Sequence, residues 1–404
     1  YVDDITLKEN ELVWVDDTTS MTISARDDNS GLDYTQYHIN NDPWTTYTSS
    51  FNLAGKPDGA PYIYYRSVDN TGNVEPTITA SFLLDTTAPK STLKIDSPRS
   101  IVGGIDRAAN GKFESGTTGW MTIGAVSVVN SPVHGGSKAM KIGGTEKGTI
   151  YQDIPISATA TNAVITAWVR SVEGSGTTGI NVTIKDSSTG MTCYSIGYNY
   201  TSNWTMYAWD VSGFRGSSVR IQFDVVHSSG EAATLYVDDV SLSENCNTYI
   251  APSTTLRICP AEYCGVKKYE HNIDSTGYVT GQIFTIPTAG LHTLAYRALD
   301  NLNHQESDVN TRVTVDDTGP TGSIIINNGA AYTTSTLLTL QFTASDVSGV
   351  TMMRIRSDTG VWGAWQSYQP SMTYALYSAT DGIKTISVEF MDTLGNEGQL
   401  FSDS

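Results

Sequence analysis

The sequence predicts an all-β protein built from repeated sandwich modules, the second of them split by an inserted domain. Three observations carry that reading. Apolar and polar residues alternate with a period of two, as in Met21-Thr22-Ile23-Ser24-Ala25 and Leu338-Thr339-Leu340-Gln341-Phe342, which is the pattern of half-buried strands. Helical periodicity extends nowhere beyond a turn or two. A linker-like string, Asp85-Thr86-Thr87-Ala88-Pro89, returns as Asp316-Asp317-Thr318-Gly319-Pro320, and such self-similarity marks module ends.

The chain of 404 residues is long enough for several cores. Its 24 Lys and Arg stand against 42 Asp and Glu, a formal charge of -18, so it lacks the basic footprint that nucleic acid or an anionic membrane surface requires. No segment approaches the ~20 consecutive apolar residues of a membrane-spanning helix. With 39% apolar residues and 22 Tyr, the composition is that of folded β-structure rather than disorder.

Taken in order, the first module covers 1–88. Before its closing strand lies a hairpin tip, Asp69-Asn70-Thr71-Gly72-Asn73, whose residues supply the side-chain bonds and positive φ of a tight turn. Related tips are Asp300-Asn301-Leu302-Asn303 and Asp392-Thr393-Leu394-Gly395-Asn396. At a similar distance upstream of each lies a second shared element: Asp28-Asn29-Ser30-Gly31-Leu32, Glu262-Tyr263-Cys264-Gly265-Val266 and Asp346-Val347-Ser348-Gly349-Val350. Three copies of one module are therefore present. The middle copy is far longer than the roughly 90 residues a module needs. Segments 89–107 and 246–318 together make one module, and 108–245 is a domain inserted between its first strands, which requires insert termini that lie close together. The third module covers 319–404.

These strings resemble the Ig-like repeats of large bacterial and archaeal surface and secreted proteins. The shared marks are the Ser-Gly-apolar turn, the hairpin Tyr37-His38-Ile39-Asn40 with Trp44, the tip and the Asp-Thr-Thr-Ala-Pro linker. The second module departs at Cys259, Cys264 and Asn303. The insert resembles calcium-containing jelly-roll carbohydrate-binding modules through Asn110-Gly111-Lys112-Phe113-Glu114, Trp120, Gly135 to Ile142, Ala167-Trp168-Val169, Trp204 through Ser212, and Leu235-Tyr236-Val237-Asp238-Asp239-Val240. The expected fold is therefore three Ig-like β-sandwich modules, the second split by an inserted β jelly roll.

In the resembling modules a Glu after the first strand and an Asp near the last share one Ca²⁺. Glu114, Asp238 and Asp239 occupy those positions and are the expected metal ligands, the alternative being a solvated acidic turn. For sugar binding, strand parity places Thr166, Trp168 and Arg170 on the face opposite Ile165, Ala167 and Val169. Gln222 and Asp224 sit likewise on a non-core face, so Trp168, Arg170, Gln222 and Asp224 form the expected carbohydrate platform, unless Trp168 packs beneath a loop.

Cys259 and Cys264 flank a turn where a disulfide fits, whereas zinc would want four ligands and His271 has no companion. Cys193 and Cys246 are either a second disulfide pinning the insert to its host or two buried thiols. Three Asn-x-Ser/Thr sequons, at Asn181, Asn199 and Asn203, are candidate glycosylation sites and agree with export.

No catalytic motif is present among the familiar metal, nucleophile or phosphate signatures, so no enzyme is expected. The reading is a non-catalytic extracellular or cell-surface structural and adhesive protein whose partners are glycans or other surface proteins. The alternative is the carbohydrate-binding accessory region of a secreted polysaccharide-degrading enzyme. After Asn396 the third module has fewer residues for a closing strand than the first has after Asn73. That predicts a longer parent chain, strand complementation by a neighbouring subunit with Tyr1 to Leu7 as donor unless it forms the first strand of its own module, or a naturally short strand.

Overall fold

The computed structural model describes residues 13–172, 179–197, 202–226, 232–376 and 380–404. The protein is all-β, with strands joined by turns and two single-turn 3₁₀ segments among the described residues. Its chain forms two compact units, one of residues 1–90, 261–269 and 298–307, the other of 91–260, 270–297 and 308–404.

The first module pairs strands Thr45–Thr46, Leu32–Ile39, Tyr62–Asp69 and Ile78–Ser81 in that order, while Trp14–Val15 runs parallel to Leu83–Leu84. Val15, Met21, Ile39, Leu53, Ile63, Phe82 and Leu84 form its core. In the third module, Thr321–Ile326, Leu337–Ser345 and Ser371–Ala375 make one sheet. Gln366–Ser367, Val350–Ser357, Ile386–Asp392 and Phe401–Asp403 make the other. Phe342, Met353, Val388 and Phe390 lie in the core, and Phe401 packs against it. The residues after Asn396 therefore do supply a strand, with Phe401 opposite Val388 and Asp403 opposite Ile386. Tyr1 to Leu7, the expected donor, lies outside the described residues.

The tip and the Ser-Gly turn meet in all three copies. Asp69 Oδ1 accepts N–H bonds from Thr71 and Asn73, Asp300 Oδ1 from Leu302 and His304, and Asp392 Oδ1 from Leu394 and Asn396. The next residue's N–H then donates to the turn glycine: Asn70 to Gly31, Asn301 to Gly265 and Thr393 to Gly349, at 2.9–3.0 Å. One aspartate thus closes each tip, and one glycine at φ of 79°, 86° or 95° receives it.

Around the insertion, Arg99–Val102 pairs with Asn247–Ile250, which runs parallel to Val309–Val315. Residues on both sides of the insert thus share a sheet. One sheet of the insert also continues into its host, because Lys90–Ile95 pairs with Thr205–Asp210 of the insert and extends its sheet towards Leu256–Ala261. A fully buried carboxylate reinforces this join: Asp210 accepts from Ser212 N (2.9 Å), Thr311 Oγ1 (2.5 Å) and Tyr296 Oη (3.3 Å). Burial pushes its pKa up.

All four cysteines are buried thiols, which corrects the expected Cys259–Cys264 disulfide and, for Cys193 and Cys246, gives the second of the two readings, buried thiols rather than a bond. Cys193 sits on strand Thr192–Gly197 of a five-stranded sheet, whereas Cys246 follows Ala233–Glu244 of the other layer. The Cys259 thiol donates to Arg257 O, and that of Cys264 to Gly265 O. Burial raises the thiol pKa of Cys246 to about 11 and of Cys259 and Cys264 to about 12.

Candidate functional site

The inserted domain is a sandwich of two sheets. One is five-stranded, in the order Met121–Gly124, Gly148–Pro155, Ser218–Val226, Gly179–Asp186, Thr192–Gly197. The other holds Val126–Val129, Ala139–Gly144, Ala233–Glu244, Ala163–Val172 and Thr205–Asp210. Alternation in each strand sends Ile150, Val182, Ile221 and Phe223 inward from the first sheet, and Ile165, Ala167 and Val169 inward from the second.

The expected outward parity holds, since Thr166, Trp168 and Arg170 are half-buried between buried neighbours. The expected platform does not assemble. Trp168 and Arg170 belong to the second sheet, Gln222 and Asp224 to the first. Both strands turn their apolar residues into the shared core, so the two pairs face opposite sides of the sandwich.

On the outer face of the five-stranded sheet, antiparallel register lines up three rows of side chains. Met121, Tyr151, Gln222 and Thr183 form one row, with Ile123, Thr149, Asp224 and Asn181 beside it, and Asp153, Arg220 and Lys185 on the other flank. Tyr151 is half-buried at the centre, with the Arg220 guanidinium 3.9 Å from its ring centroid. Asp153 grips Arg220 through two bonds of 2.8 and 2.7 Å, which holds the Asp153 carboxyl below its ordinary pKa. Gln222 Nε2 donates to both Asp224 oxygens, Lys185 Nζ to Gln222 Oε1 and Thr149 Oγ1 to Asp224 Oδ1. On the edge strand, Met121 and Ile123 are 59% and 61% exposed. Apolar surface and a pre-oriented hydrogen-bonding strip therefore lie side by side.

The opposite face is roofed. The His134 ring stacks on Trp168 at 3.8 Å between centroids, and Trp204 meets His134 edge-on. Glu114, Asp238 and Asp239 hold the segment that brings His134 there. Glu114 accepts from Ser137 N, Ser137 Oγ and Lys138 N, and Ser137's hydroxyl, ahead of its backbone N–H, keeps the Glu114 carboxyl below the usual range. Asp238 accepts from the N–H groups of His134, Gly135 and Asp239, while burial pushes its carboxyl up. Asp239 Oδ2 lies 2.6 Å from His134 Nδ1. The three acids expected as metal ligands thus all contact the 134–138 segment. As arranged, Glu114 and Asp238 accept N–H donors of the 134–138 segment.

Asn181 lies mid-strand in the five-stranded sheet, bonded on both sides, and Asn203 precedes Thr205–Asp210. Asn199 lies outside the described residues. Tyr151 was missed by the sequence reading, yet Ile150-Tyr151-Gln152-Asp153-Ile154 carries the signal: an aromatic at outward parity between two core isoleucines.

No family model matches the chain, and no curated protein is similar to it. Among solved structures it is similar to TmCBM61, solved in complex with β-1,4-galactotriose, at 18% identity over 35% of this chain and 99% of that one, TM-score 0.30. A family 16 carbohydrate-binding module matches at 23% identity over 34% and 99%, TM-score 0.27. The CBM22-1 xylan-binding domain of Paenibacillus barcinonensis Xyn10C matches at 19% over 35% and 96%, TM-score 0.25. Solved carbohydrate-binding modules are thus among the structural neighbours of this all-β chain, and the three named each cover about a third of its length.

Proposed function

We propose that the inserted jelly roll binds a glycan on the outer face of its five-stranded sheet, and that the β-sandwich modules display it as part of a non-catalytic extracellular or cell-surface protein. The observation that carries this reading is the juxtaposition of Tyr151, Met121 and Ile123 with the Gln222–Asp224–Thr149–Lys185 network. Saccharides present C–H patches and hydroxyls within one ring, so a receptor needs apolar surface and fixed donors and acceptors at the same spacing. Here the polar groups are already held by one another, which lowers the ordering cost of binding. The Ig-like sequence marks support the display role, and the -18 charge disfavours anionic partners.

Affinity electrophoresis of the full chain through gels containing soluble β-glucans, xylans or galactans tests the reading. Retardation by at least one polysaccharide, abolished by Tyr151→Ala with the melting temperature kept, is the expected result. Migration unaffected by every gel, or retardation that survives Tyr151→Ala, would contradict it.

A further inference from the structure

Outside the jelly roll, two acid triads converge on one point each. One oxygen from each of Asp316, Asp346 and Asp392 lies within 4.8 Å of the others, and the same holds for Asp85, Glu262 and Asp300 together with the Cys264 thiol. The two sets occupy equivalent places in the repeat. Asp85 and Asp316 follow a module's last strand, Glu262 and Asp346 open the next Ser/Cys-Gly turn, and Asp300 and Asp392 close its tip.

In each set one buried oxygen has no donor. Asp85 and Asp316, 0% and 5% exposed, use Oδ1 to accept from the threonine two residues on, and the Oδ2 of each is buried without a hydrogen-bond partner. An ionised carboxylate oxygen shut away from water and from donors is costly, and two further carboxylates beside it add repulsion.

The first module supplies an internal comparison. There the turn bond is made by Asp27, one residue before the aligned Asp28: Ser30 Oγ bridges Asp27 and the tip acid Asp69 at 2.8 Å to each, and their other oxygens accept from Asn29, Thr71 and Asn73. Among the described residues, these two acids and Ser30 close that turn and tip, and Ser348 Oγ bridges Asp346 and Asp392 in the same way in the third module.

We propose that each triad binds one Ca²⁺, fastening the end of one module to the turn and tip of the next. Oxygens at about 2.3–2.6 Å from a shared ion lie no further apart than roughly 5 Å, which matches the observed convergence. An all-oxygen donor set selects a hard cation over zinc or copper. Cys264, which stands where the third module has Ser348, borders the first site without changing its three carboxylates.

Equilibrium dialysis of the full chain against ⁴⁵Ca²⁺ at pH 7.5 counts the ions. Asp346→Asn and Glu262→Gln should each lower the count by one and the double variant by two, while Asp27→Asn leaves it unchanged. Melting of the parent should be higher in Ca²⁺ than in EDTA, and the gap should shrink in each single variant. A parent that binds no ion, or variants that bind as many ions as the parent, would overturn the proposal. Should a variant fail to fold, anomalous scattering from terbium-soaked parent crystals decides: ions at both triads support it, and ions confined to Glu114, Asp238 and Asp239 refute it.

Discussion

The two outer faces of the jelly roll obey the same alternation and end up chemically unlike. On one, Trp168 emerges from its strand and is covered at once by His134, whose segment is pinned through Glu114 and Asp238. On the other, Tyr151 emerges beside exposed Met121 and Ile123 and a network of polar side chains. An outward aromatic is available to a ligand only when the loop above it leaves it uncovered. Parity along a strand is local, whereas covering is decided by residues far away in sequence.

That contrast can be broken by exchanging the roles of the two aromatics. Trp168→Ala should cost stability on the order of 2 kcal/mol, about half the cost of removing a fully buried Trp, and leave glycan retention unchanged; denaturant unfolding with parallel affinity gels checks both halves. Tyr151→Ala should weaken glycan binding at least tenfold, about 1.4 kcal/mol, with little change in melting, as calorimetric titration would show. Equal loss of binding in both variants would erase the distinction between the faces.

The roof itself gives the smallest effect. Donors from Ser137 and Lys138 favour the charged form of Glu114, so its folded-state pKa lies below the ordinary Glu value. Its contribution to stability is therefore present above about pH 4.3 and is lost as pH falls through the depressed value. Glu114→Gln should flatten that part of the acid limb in thermal melts. Asp238, raised by burial, works in the opposite direction: its folded form keeps a proton to higher pH than the unfolded chain does.

Much of this architecture was legible because repetition and parity are written locally. The tip aspartates and turn glycines were matched by spacing, and each pair docks in the structure. Strand parity correctly separated Trp168 and Arg170 from Ile165 and Val169. It could not tell which sheet a strand joins, and so Gln222 and Asp224 were grouped with residues on the opposite face. Spacing also suggested a Cys259–Cys264 disulfide, but spacing does not specify where a thiol points; Cys264 borders the acids at the tip. The acids of the two triads were all visible as parts of linker, turn and tip motifs. Their convergence arises from segments as far apart in sequence as Asp85 and Asp300, and no single window contains it.

The central claim is that the glycan sits on the five-stranded face, and hydrogen–deuterium exchange with and without a retained oligosaccharide tests it most directly. Protection should increase in 148–155 and 218–226, the strands that carry Tyr151, Gln222 and Asp224, and stay unchanged in 163–172. Protection confined to 163–172 and the His134 segment would contradict the account.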